Sequence, residues 1–113
     1  MLPAIHSLHV SGANRNEEVV APILQGLSFR AEHISSFGVS SPHDFWYDQN
    51  LPEWVALLQG TASIEFEEGT LHLKAGDYLI IPQHLKHRVS VTSPDASWLA
   101  IHFEPEQGVT EHA

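Results

Sequence analysis

Short alternating or apolar runs, cut apart by turn signals, recur along most of this chain. Between residues 28 and 37, Phe29, Ala31 and Phe37 are interleaved with Arg30 and Glu32, which predicts a half-buried strand with His33 on its apolar side. Residues 38–44 carry the loop signature Ser40-Ser41-Pro42-His43 and lead into the aromatic run Phe45-Trp46-Tyr47. After Pro52 the pattern is clean. Strands are predicted over 53–58 and 61–66, joined at Gln59-Gly60, and over 71–74 after the turn Glu67-Glu68-Gly69. Another is predicted over 78–81 between Gly76 and Pro82, and two more over 87–92 and 97–103 flank Ser93-Pro94-Asp95. Upstream, Ser11-Gly12-Ala13-Asn14 reads as a turn. Residues 17–24 read as an N-terminal edge strand, or as a helical turn interrupted by Pro22. Residues 104–113 are polar, and a frayed end is expected there.

Short strands recurring every ~8–12 residues, with no sustained helical period, predict an all-β sandwich or barrel. A length of 113 residues fits a single domain over 1–113, with its core at about 28–104. The strand over 53–58 is unusual because both faces are apolar beyond Glu53: Val55 and Leu57 on one, Trp54, Ala56 and Leu58 on the other. A half-solvated antiparallel strand alternates instead, so the outer face is expected to be covered by the N-terminal segment or by a second subunit, and a homodimer is expected.

Composition narrows the function classes. Fourteen acidic against five basic side chains give a formal charge of −9, which repels nucleic-acid phosphates and anionic membrane surfaces. The first ten residues lack the pattern of a secretory signal, and no apolar run approaches a membrane span, so a cytoplasmic location is expected. Without cysteine, neither a disulfide framework nor a thiolate metal site can form. Nine histidines supply the alternative ligand chemistry.

Two segments have the outline of the paired motifs of the cupin superfamily. Glu53 stands seven positions before Gly60, as in the first motif, G-x5-H-x-H-x3-4-E-x6-G. Residues 76–87 match the second, G-x5-P-x-G-x2-H-x3-N, at Gly76, Pro82 and His87, with His84 in place of its second glycine and Val91 in place of its asparagine. The strings Phe45-Trp46-Tyr47-Asp48-Gln49, Glu53-Trp54-Val55 and Trp98-Leu99-Ala100-Ile101-His102-Phe103 resemble small single-domain bacterial cupins. The resemblance implies a double-stranded β-helix, or jelly-roll, barrel. It also implies a divalent transition metal in the barrel (iron, manganese, nickel, zinc or copper) and a small organic molecule as partner.

Carried over residue by residue, the resemblance supports Glu53 and His87 as metal ligands. The two motif-one histidines fall on Tyr47 and Gln49 with one spacer and on Trp46 and Asp48 with the other; alternate strand residues share a face, so only one pair can point inward. The preferred register adds Gln49. His102 is added from the last strand, giving Gln49, Glu53, His87 and His102 as the ligand set, with Tyr47, His84 and Trp98 lining the pocket. Core or rim imidazoles are the bland alternative for His84 and His102, a core role is expected for His33, and solvent exposure for His6, His9, His43, His72 and His112. The expected function is a metal-dependent oxygenase or isomerase; a non-catalytic module that binds a small molecule or a metal is the alternative.

Overall fold

In the computed structural model, residues 1–8 and 16–105 are described; the turn expected at residues 11–14, His9, His112 and most of the polar C-terminal segment lie outside them. Eight strands follow in chain order: β1 (Val19–Gln25), β2 (Phe29–Ser35), β3 (Glu53–Gln59), β4 (Thr61–Phe66), β5 (Gly69–Lys74), β6 (Tyr78–Ile81), β7 (His87–Thr92) and β8 (Ser97–Phe103). The N-terminal alternative resolves as a strand. Pro22 is tolerated there because β1 is the edge of its sheet and carries an irregularity between Pro22 and Leu24.

The strands form two antiparallel sheets, ordered β1-β2-β8-β3-β6 and β5-β4-β7. β3 of the larger sheet passes into β4 of the smaller through a single residue, Gly60, at φ 81°, a conformation that side chains disfavour. Between the sheets Val55, Leu57, Ala62, Ile64, Leu73, Ile81, Ala96, Trp98 and Ala100 form the buried core. At one end Leu57 stands opposite Trp98 and Ala62 opposite Thr92. At the other end Glu53 stands opposite His102 and Phe66 opposite His87, so the polar groups gather at the end the aliphatic core leaves open.

The alternation in β2 reads differently in three dimensions. Its register with β8 pairs Glu32 with Ala100 and Ile34 with Trp98, which puts the even-numbered residues on the inner face of the sheet. Glu32 therefore faces the barrel interior, while Ala31 and His33 lie on the outer face, with His33 buried. The outer face of β3 is only partly covered. Ala56 is buried, Trp54 is half-buried against Tyr78 with ring centroids 5.4 Å apart, and Leu58 is exposed. Residues 1–8 are exposed, and β1 sits at the far edge of the sheet from β3, so neither covers that face.

Candidate functional site

The segment before β3 is laid along β7 by backbone bonds. Tyr47 N donates to His87 O at 2.7 Å and His87 N returns a bond to Tyr47 O at 3.1 Å, and His84 N donates to Gln49 O at 2.8 Å. Arg88 fastens the start of this segment, donating through Nη2 to the carbonyls of Ser41 and Pro42 while Nη1 holds Glu65 at 2.8 Å. Tyr47 and Gln49 both line the interior cavity. Asp48 instead points away from it, with Oδ1 2.8 Å from His84 Nδ1.

The cavity at the polar end has a volume of about 270 Å³. Glu53, His87, His102, Tyr47, Gln49 and Trp98 line it together with Glu18 and Glu32, and Val20, Ile34, Val55, Ile64, Ile81 and Val89 form its aliphatic walls. His84 is not among them. Its backbone takes a left-handed φ of 63°, and this turn sends the imidazole outward, where it is 58% exposed beside Asp48.

Within the cavity the groups form two carboxyl–imidazole pairs. Glu53 Oε1 and His87 Nε2 face each other at 3.8 Å, too far for a hydrogen bond. His87 Nδ1 is 2.9 Å from the Leu85 carbonyl, which can only accept, so Nδ1 carries a proton. Tyr47 stacks on one side of the ring, and Phe66 is tilted against it at 6.2 Å. The other pair is His102 Nε2 with Glu32 Oε1 at 3.3 Å, while Glu32 Oε2 forms an ion pair with Arg30 Nε at the same distance.

Burial dominates the electrostatics. It pushes the Glu53 carboxyl up to about 7, with Glu32 and Glu18 adding repulsion and Arg30 opposing them. Desolvation, followed by Glu32, also raises Glu18, and desolvation followed by Glu18 and Glu53 raises Tyr47. Both imidazoles are lowered, His87 by burial against the opposing bond to Leu85, and His102 by burial and then Arg30. Near neutral pH these conditions favour neutral imidazoles and a Tyr47 hydroxyl that keeps its proton.

The sequence profile of the cupin domain matches residues 38–102, the stretch that carries Tyr47, Gln49, Glu53, His87, Trp98 and His102. The chain belongs to the cupin family. Among solved structures it is similar to a protein of Ralstonia eutropha JMP134, proposed as a mannose-6-phosphate isomerase, with 34% identity and a TM-score of 0.81 over 91% of this chain and 100% of that one. A cupin superfamily protein of Desulfitobacterium hafniense DCB-2 shares the fold at 21% identity and a TM-score of 0.72, covering 84% of each chain. No curated protein matches the chain. No helix among the described residues is long and apolar enough to cross a membrane.

Cupins commonly hold a metal in the barrel, so the donor geometry bears on this chain. First-row ions stand about 2.0–2.2 Å from imidazole nitrogens and carboxylate oxygens, which separates neighbouring donors by about 2.8–3.1 Å at octahedral and about 3.3–3.6 Å at tetrahedral angles. At 3.8 Å, Glu53 and His87 would open that angle to about 130°. His102 does not complete the set, because its Nε2 is turned to Glu32. Among the described residues no three His, Cys, Asp or Glu side chains are grouped to hold an ion. Gln49, Glu53, His87 and His102 share this cupin's cavity but, as placed, do not fit a resident transition metal.

The barrel's other two carboxylates, Glu18 and Glu32, escaped the sequence reading. Glu32 lies on the polar side of a half-buried strand, as the alternation predicts, and that side faces the cavity. Glu18 precedes β1 in a weakly patterned stretch and carries no local signal.

Proposed function

We propose that this cupin is a small-molecule-binding module whose ligand occupies the barrel cavity and supplies the hydrogen-bond donor that Glu53 and His87 lack. One observation carries the reading: a buried carboxyl and an imidazole nitrogen face each other across 3.8 Å with nothing donating between them. Both residues line the cavity, so a ligand that enters this gap can donate to both. The similarity to a proposed mannose-6-phosphate isomerase does not extend to a sugar phosphate here. Three carboxylates line the cavity, and the Arg30 guanidinium near them is already engaged by Glu32, so a phosphate dianion meets repulsion.

A second reading, proton transfer of the isomerase type, is favoured by the Glu53 carboxyl held at about 7, where it can both accept and return a proton. Binding and turnover separate in one experiment. A library of small polar compounds is screened in D₂O against isotope-labelled protein, following the methyl resonances of Val55, Ile64, Ile81 and Val89 and the carbon-bound protons of each ligand. Saturable methyl shifts without loss of ligand protons support the binding module. Deuterium uptake abolished by Glu53→Gln supports the isomerase, and shifts confined to the protein exterior refute both.

A further inference from the structure

We infer that the ligand of this cavity is a compact organic cation, with a primary ammonium group seated between the Glu53 carboxyl and His87 Nε2. The inference rests on the binding reading above and names the ligand class of the same site. Charge is the first ground. Of the three carboxylates, Glu32 is compensated, with one oxygen 3.3 Å from Arg30 Nε and the other 3.3 Å from His102 Nε2. Glu53 has no such partner: its side chain is 10% exposed, it lines the cavity, and no described residue donates a hydrogen bond to it. Glu18 adds a further carboxylate to the lining.

The second ground is the direction of the lone pairs. Because the Leu85 carbonyl takes the Nδ1 proton, the neutral His87 ring presents a bare Nε2 to Glu53 Oε1. Above about pH 7, where Glu53 is ionised, two acceptors thus oppose each other, and water or an alcohol would satisfy them without neutralising the charge. A single nitrogen can stand about 2.8–2.9 Å from both atoms at once, and an ammonium brings both the donors and the charge. Shape is the third ground. A volume of about 270 Å³ falls just below the ~300–1,000 Å³ of most ligand pockets, and the aliphatic walls suit a short carbon skeleton behind the cationic head.

Isobutylammonium, isobutanol and isobutyrate have nearly the same size and differ in charge, so they serve as probes in parallel NMR titrations at pH 8. Isobutylammonium is expected to shift the Val55, Ile81 and Val89 methyl resonances saturably, to bind about tenfold or more tightly than the alcohol, and to weaken in high salt; isobutyrate is expected not to bind. Glu53→Gln should remove that advantage, bringing the affinity of the ammonium down to that of the alcohol or below it. Glu18→Gln, just before β1, should weaken the ammonium by a smaller factor. Alcohol or carboxylate binding equal to that of the ammonium would overturn cation recognition and leave the binding cavity standing. Should none of the three probes and no compound in the wider library reach the cavity, both readings fall. Stoichiometric uptake of Zn²⁺ or Mn²⁺ that is lost in Glu53→Gln would overturn the ammonium in favour of a metal cation.

Discussion

Glu53 and His87 belong to different sheets, yet their carboxyl and imidazole meet 3.8 Å apart at the open end of the barrel. Burial of the Glu53 carboxyl makes stability depend on pH in a definite direction. The folded state raises the Glu53 carboxyl from 4.5 to about 7, so the folded protein holds that proton more tightly than the unfolded chain does. Its contribution is complete below about pH 4.5 and is lost as pH rises through about 7, at most about 3 kcal/mol. Glu53→Gln keeps a neutral side chain at every pH. Urea denaturation should therefore show the variant gaining on the unmodified protein between about pH 4.5 and 7.5. The lowered imidazoles act in the opposite sense, since their contribution is present above 6.5 and is lost as pH falls through the folded value; the unmodified protein and the variant share this effect. A difference that stays constant with pH would show that Glu53 is not desolvated.

Gly60 is the one-residue passage between the sheets, and two independent costs meet there. Its φ of 81° disfavours any side chain, and a Cβ would press on Ser93 Oγ and stand 3.0 Å from the Ala96 backbone. Gly60→Ala is expected to destabilise the protein by about 2 kcal/mol or more, read from thermal or urea unfolding. A loss of a few tenths would mean that the β3–β4 passage relaxes freely.

His84 occupies a left-handed position where the family motif has glycine. His84→Gly should be close to neutral, because relief of backbone strain offsets the lost contact with Asp48. His84→Ala keeps the strain and loses the contact, so it should fall below the glycine variant by about 1 kcal/mol. Ligand binding in the cavity should be unchanged in both variants, because the imidazole points outward.

The outer face of the larger sheet predicts self-association. Trp54 and Tyr78 pack on each other, and Ile80, Leu99, Ile101 and Phe103 lie on the same face, each only half-buried. Sedimentation at micromolar concentration is expected to give twice the 12.6 kDa chain mass, and Trp54→Glu should return the protein to the monomer. A particle of 12.6 kDa for the unmodified protein would refute this.

Strand positions were legible in the chain because alternation and turn residues are local, and Glu53, His87, Tyr47, Gln49, Trp98 and His102 could be placed from motif spacing and strand parity. Parity distinguishes two faces of a strand without saying which is inside. In β2 the inner face is the one bearing Glu32, a fact set by its register with Ala100 on β8, far away in the chain. The same register brings His102 to Glu32, so that of the four residues expected to form one metal centre Glu53 and His87 make one carboxyl–imidazole pair, His102 makes another with Glu32, and Gln49 belongs to neither. His84 follows the same logic on a smaller scale: spacing put it near His87, but a single left-handed residue reverses the direction of its side chain. Local sequence determined which residues form strands and which reach the open end of the barrel. Which polar groups meet there was decided by long-range pairing and turn geometry, because hydrogen-bond register sets side-chain partners and no local pattern encodes it.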